Sequence, residues 1–490
     1  MVRAHVILVV GWVFMLAGFP PVEGPATLPS SSPPPMALTE AVRLYRAEFG
    51  ETLTDVDAAR LYRAHLLIEE YFGEIPTARR QGLVREVEGA GVSAEEVARL
   101  CRIRLGWRAV EPGVYYVSER VGPIAVHYFV GVPKDYTPVS PRPAILMLPT
   151  ATAFVARRAN VELSPDQVAS VYTDWIRAEL AKRPGNIVIM PLLHLTELWG
   201  PGYAGVNNAI KPLASAAERF AIDPARIYLR GQGMSGHAVW NIGLHYPTLF
   251  AAINPLAGSA KYEWQRARAM NLRNTLAVVW HDAEDQAVPV QSSRDMVALL
   301  RKNKVDVLYE ETKGLGHTPG PDVDQRLFER MFARTKDLSP RSVSLRSTRP
   351  DVALLRNEWI QVWQPDNAGP ETRHIFRWGG SGMWTFQNTL TVEAKVAGAR
   401  GTSAGNRIDI TSSNLGPFRL LLSNELVDLS RPVSVTVNKR TVFEGPVSPS
   451  IADTLQDQLL LGRGLRKYTA ALNLNLAPGP TTTARPTTRP

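Results

Sequence analysis

The sequence predicts an α/β protein: a mostly parallel sheet with helices on both faces, preceded by a helical extension and followed by a β-sandwich-like unit. Three observations carry this. Across residues 111–338, apolar strands alternate with amphipathic helices. Residues 38–110 before it read as helices alone, and residues 339–476 after it read as short alternating runs between Gly, Asn, Ser and Pro clusters.

The 490 residues, 45% of them hydrophobic, suffice for two or three domains. Residues 1–26 read as a secretory signal: Arg3 and His5, an apolar run from Val6 to Phe19, then small residues at Gly24 and Ala26. The run is shorter than the ~20 residues a membrane span needs, so export to the periplasm or medium is expected over an uncleaved anchor. Residues 27–37 read as a Pro/Ser-rich linker. The single cysteine, Cys101, excludes an internal disulfide. The net charge of +9 is spread along the chain, with no basic run interleaved with aromatics, so nucleic acid is not an expected partner.

In the helical extension, Thr54-x-x-Asp57 and Ser93-x-x-Glu96 are capping-box signatures. Val97, Leu100, Cys101 and Leu105 then fall on one face, and Gly106 stops the helix. Such an extension either covers a site as a lid or packs on the main domain. The second is the expectation.

From Gly113 the pattern turns to strands. Val114-Tyr-Tyr-Val and Ile124-Ala-Val-His-Tyr-Phe-Val read as a pair, and Ala144-Ile-Leu-Met-Leu148 as a strand buried on both faces. A helix opening at Ser164-Pro165, a strand from Asn186 to Met190 and a helix near Val206 to Phe220 follow. Strands at 250–256, 275–280 and 305–310, with a helix at 290–302, complete the series. After Ser339 no further helix is expected. Trp359, Trp363, Trp378 and Trp384 cluster early in the β unit, as sandwich core or as exposed sugar-stacking rings, the core being the commoner fate. The Thr/Pro/Arg-rich tail, 477–490, reads as disordered.

The most telling stretch is Ile227-Tyr-Leu-Arg-Gly-Gln-Gly-Met-Ser-Gly-His-Ala-Val-Trp240. A strand enters a glycine-rich turn and leaves as a helix, as in a G-x-S-x-G nucleophile elbow. Counted from the strand, Gly233 takes the serine's place and has no side chain to attack with. Ser235 comes two residues later and is the alternative nucleophile if the elbow is shifted. The string also fits G-x-G-x-x-G, but no acid stands between Gly231 and Glu263 to hold a ribose, so no dinucleotide is expected. A plain strand-to-helix turn is the remaining reading. Two loops follow in order: His281-Asp-Ala-Glu-Asp285 after one strand, and Lys313-Gly-Leu-Gly-His317 after the next. An acid and a histidine at strand C-termini, in that order behind an elbow, make an acyl-transfer constellation.

On these residues, residues 113–334 resemble the α/β-hydrolase superfamily, above all secreted esterases, polyhydroxybutyrate-depolymerase-like and prolyl-oligopeptidase-like hydrolases. Val132-Pro-Lys-Asp-Tyr136, Phe220 to Tyr228, Tyr246 to Ala252 and Pro255-Leu-Ala-Gly258 carry the likeness too. The resemblance implies an α/β-hydrolase fold, Asp285 and His317 as catalytic acid and base, and an oxyanion region at Thr150 and Met234. Trp240, seven residues after Gly233, matches the family's register. Two positions depart from it: Gly233 replaces the nucleophile, and Pro149-Thr150-Ala151 replaces an H-G-G type loop, with no N–H at Pro149.

The expected function is therefore a secreted protein of serine esterase or peptidase ancestry with lost or strongly reduced activity. It would bind a ligand, polymer or partner, with no cofactor and no metal. The alternative is an active ester or peptide hydrolase using Ser235 with His317 and Asp285.

Overall fold

The computed structural model of the chain describes residues 25–28, 34–73, 75–121, 124–149, 165–192, 203–349, 355–375, 382–398 and 402–476. Residues 1–24, where a signal segment is expected, residues 29–33 of the expected linker, Thr150, Ser164, Trp378 and the tail 477–490 lie outside them.

Four helices open the chain: α1 (Leu38–Phe49), α2 (Asp55–Phe72), α3 (Thr77–Gly89) and α4 (Ala94–Leu100). Ser93 and Glu96 exchange both hydrogen bonds of a capping box at the start of α4. The box expected at Thr54 is only half made. Thr54 Oγ1 accepts the Asp57 amide, but the shorter Asp57 side chain accepts the Thr54 hydroxyl at 2.7 Å instead of reaching back to the backbone. Leu44, Leu61, Val97, Leu100, Cys101 and Leu105 are buried in one cluster with Leu213 and Ala216 of the α/β unit. Arg104 Nε donates to Glu218 at 2.7 Å, and the Trp107 indole donates to the Ala217 carbonyl at 3.4 Å. The extension is packed on the main domain.

The main sheet contains β1 (Ala26–Thr27), β2 (Gly113–Val121), β3 (Ile124–Val132), β4 (Arg142–Leu148), β5 (Ile187–Pro191), β6 (Ile222–Gln232), β7 (Ala252–Leu256), β8 (Leu276–Asp282) and β9 (Val307–Thr312). Its order is β1-β2-β3-β5-β4-β6-β7-β8-β9. β3 runs antiparallel to β2 and β5, and all other neighbours are parallel. The short β1 lies where the sequence reads as signal end and linker. It pairs with Tyr115 and Tyr116.

Alternation sorts the strands onto two cores, as a sheet buried on both faces requires. Ile187, Ile189, Ile227 and Leu229 join one core with Leu213 of helix α6 (Tyr203–Arg219) and Ala238 of helix α7 (Met234–His245). Val188, Met190 and Tyr228 join the other with Ile176 of α5 (Pro165–Lys182). Helices α8 (Gln291–Lys302) and α9 (Pro321–Phe332) close the unit, α8 on the first face and α9 on the second. The parallel strands point the loops after β4, β6, β8 and β9 to one edge. Pro149, Gly233, Asp285 and His317 all stand on those loops.

The C-terminal unit has a five-stranded and a four-stranded sheet around its own core. Trp359 is fully buried there and donates to the Pro340 carbonyl at 2.7 Å, so it is core and not a sugar platform. Trp363 is half-buried. One expectation fails: helices do not stop at Ser339. Helix α10 (Ile451–Leu461) starts where the Ser450 side chain accepts the Asp453 amide, and Ile451 and Leu455, one turn apart, are buried. It packs against α3 and α4.

Buried charges join this unit to the α/β unit. Glu358 lies 2.9 Å from Lys336 Nζ and 2.8 Å from Arg466, and all three side chains are sealed from solvent. Lys336 also donates to the Pro247 carbonyl at 3.0 Å. Removing one partner of a buried network leaves the other charges uncompensated. Glu358→Gln is therefore expected to lower unfolding stability by about 3–5 kcal/mol, read from urea denaturation. An unchanged midpoint would mean that these charges are not part of the joint.

Candidate active site

The elbow sits between β6 and α7. Gly233 has φ 58° and ψ −115°, a conformation that glycine adopts freely and L-residues only under strain. Its N–H donates to the Leu256 carbonyl at 2.8 Å, and its own carbonyl accepts the His237 amide at 3.0 Å. The helix can rise this steeply because Gly236 packs bare against β7: a β-carbon there would meet the Leu256 carbonyl at 2.6 Å.

Over the elbow lies His317. Its Nδ1 is 2.8 Å from Asp285 Oδ2, and a β-carbon added to Gly233 would lie 2.5 Å from its Nε2. The carboxylate holds a ring proton on Nδ1 and orients the ring so that Nε2 faces Gly233. The carbonyl of His317 and the hydroxyl of Thr318 accept from Gln232 Nε2 at 2.8 and 2.9 Å. The elbow thus holds the histidine loop directly.

The Asp285 side chain is enclosed. Burial alone would raise its pKa. Hydrogen bonds from His281, His317 and the amides of Val288 and Ala287 outweigh that and hold the carboxyl well below the usual range. His281 Nε2 stands 2.9 Å from the Val288 carbonyl and 3.2 Å from Asp285, and its Nδ1 lies 2.7 Å from the Ser293 hydroxyl. Nε2, set between two acceptors, therefore carries a proton. Asp282 accepts from the Thr312 hydroxyl and from the amides of Gly314 and Leu315, at 2.8, 3.2 and 3.0 Å. It pins the base of the histidine loop.

Ser235 is not brought to this pair. It is buried in the first turn of α7, and its hydroxyl donates to the Pro149 carbonyl at 2.7 Å. Met234 opens the same helix, so its amide is one of the helix's N-terminal donors. Gln232, His281 and Asp282 escaped the sequence reading. Their only signal is position, next to the elbow glycine or at the end of β8. Among the described residues no group of His, Cys, Asp and Glu side chains could hold a metal ion.

His237, one turn beyond Gly233, has Nδ1 2.6 Å from the Ser259 amide nitrogen and 2.8 Å from the Ser259 carbonyl oxygen. Burial pushes its pKa down to about 4. In the unfolded chain the ring titrates near 6.5. Between these values the unfolded chain binds the extra proton, so stability is full above about pH 6.5 and falls as pH drops toward 4. Replacing His237→Gln is expected to flatten that limb, measured as unfolding midpoint against pH. An unchanged slope would show that His237 titrates alike in both states.

No protein-family model matches the sequence, and no curated protein does. Solved structures give distant similarities. One is a thermostable esterase, 22% identical over 45% of this chain, with a TM-score of 0.37. The matched part is 63% of that esterase's length. A CE1 ferulic acid esterase from Anaeromyces mucronatus is 14% identical over 46% of this chain and 92% of its own, TM-score 0.34. An acylaminoacyl peptidase is 13% identical over 46% and 42%, TM-score 0.34. Counted from β2, the strand order with β3 antiparallel, the elbow after β6 and the loops after β8 and β9 make this an α/β-hydrolase fold.

Proposed function

We propose that the chain is a secreted protein of serine esterase or peptidase ancestry that no longer forms an acyl-enzyme and uses its scaffold to bind a ligand, polymer or partner. Acyl transfer through this fold needs a hydroxyl whose proton passes to histidine while its oxygen bonds to the carbonyl carbon. At Gly233 there is neither oxygen nor β-carbon. The observation that carries the reading is the position of His317. Its Nε2 stands 2.5 Å from where that β-carbon would be, closer than packed atoms approach, so the ring has settled into the nucleophile's volume.

Against cleavage through Ser235 stand its burial and its hydrogen bond to Pro149. In favour of export are Arg3, the apolar run Val6 to Phe19 and the small residues after it. No helix of the described residues is long and apolar enough to cross a membrane.

The test is turnover of a chromogenic acetyl ester, with fluorophosphonate labelling, for wild type, Gly233→Ser and Ser235→Ala. Wild type and Ser235→Ala are expected to stay at the buffer rate and unlabelled. Gly233→Ser is expected to lose about 1–3 kcal/mol of stability to backbone strain and to gain little activity, because His317 must first withdraw. Wild-type turnover abolished by Ser235→Ala would overturn the proposal.

A further inference from the structure

Beside the histidine–aspartate pair lies a cavity of about 340 Å³ lined by His237, Ser259, Lys261, Arg266, Ala287, Val288, Pro289 and Ser292. Its walls come from α7, the loop after β7, the short helical turn Glu263–Arg266, the Asp285 loop and the start of α8. Two of these walls belong to the site already described. His237 binds the Gly233 carbonyl through its amide, and the amides of Ala287 and Val288 hold Asp285.

The chemistry of the lining is one-sided. Lys261 and Arg266 bring positive charge, Ser259 and Ser292 bring hydroxyls, and no acid lines the cavity. Glu263 pairs with Arg266 at 3.0 Å from outside, and its side chain is 84% exposed, so solvent screens that pairing. The Asp285 carboxylate behind the wall is turned to its own four donors, His281, His317, Ala287 and Val288. His237 has its Nδ1 taken up by the Ser259 backbone. Donors from several walls around a small volume suit an anion with planar, bidentate oxygens.

We propose that this cavity binds a small organic carboxylate, held by Lys261 and Arg266 and oriented by Ser259 and Ser292. The inference rests on the non-hydrolytic reading for the class of ligand: cleavage of an ester or peptide leaves a carboxylate, and a scaffold that has lost the bond-breaking step can keep affinity for that half. No bond forms or breaks in the cavity.

The experiment is isothermal titration of the full chain with glutarate, with its uncharged counterpart glutaramide, and with inorganic phosphate. Saturable binding of glutarate at millimolar or lower concentration is expected, at least about tenfold tighter than either glutaramide or phosphate. Replacing Lys261→Ala and Arg266→Ala together is expected to weaken glutarate at least about tenfold. Both residues lie at the surface or half-buried, and an unchanged thermal midpoint of the double variant checks that its fold is intact. No saturation by glutarate up to about 10 mM, equal binding of glutaramide or phosphate, or an unaffected double variant would each overturn the proposal. Ester turnover is measured separately. Turnover with glutarate binding intact sinks the non-hydrolytic reading alone, and absent turnover without glutarate binding sinks this one alone.

Discussion

The sheet's C-terminal edge is organised around the place of His317 Nε2, 2.5 Å from where a β-carbon of Gly233 would stand. A glycine there allows the backbone to turn at φ 58° without strain and lets the imidazole approach to a distance no side chain would permit. The ring does not reach that place by itself. Asp285 holds it through Nδ1, Gln232 holds its carbonyl, and Asp282 pins the loop that carries it. Each of these groups stands at a strand's end or on the loop just beyond it, so the sheet sets the distances. The result is a base aligned on an empty position.

That rigidity continues outward. The helical extension meets the other two units through charge: Arg463, from the end of the C-terminal unit, lies 2.6 Å from Glu69 of α2, and Arg104 is fixed to Glu218 of α6. On the other side Lys336, Glu358 and Arg466 close the seam with the β unit. Charged groups sealed this way tolerate no loose geometry, because each one separated from its partner would be left desolvated. They fix which surfaces meet more than they add to stability.

How far the sequence shows this follows from the physics of each signal. The alternation of strand and helix, and the order Gly233, Asp285, His317, are local patterns of polarity and chain direction, and they are readable. The two-faced burial of Ile187 and Val188 follows from period-two alternation in the same way. What was not legible depends on contacts made only after folding. Helix α10 hides in a region of short alternating strands because its length is slight and its apolar face meets α3 and α4, distant in sequence. The half-made cap at Thr54 turns on the reach of one methylene. Gln232, His281 and Asp282 have no motif: their roles exist because β6, β7, β8 and β9 end along one edge of the sheet.

A histidine–aspartate pair without a nucleophile has a structural explanation that needs no chemistry. Asp285 accepts four hydrogen bonds, from His281, His317, Ala287 and Val288, inside a sealed pocket. Losing its carboxylate would strand those donors, each at a cost of about 1–3 kcal/mol. Losing the serine hydroxyl strands nothing, since Nε2 of His317 faces the partly open edge and glycine relaxes the elbow. The two ends of the site are thus held differently: Asp285 and His317 are braced by hydrogen bonds of the fold, and Gly233 has no side chain to be braced. The presence of Asp285 and His317 therefore bears on how the loops are built.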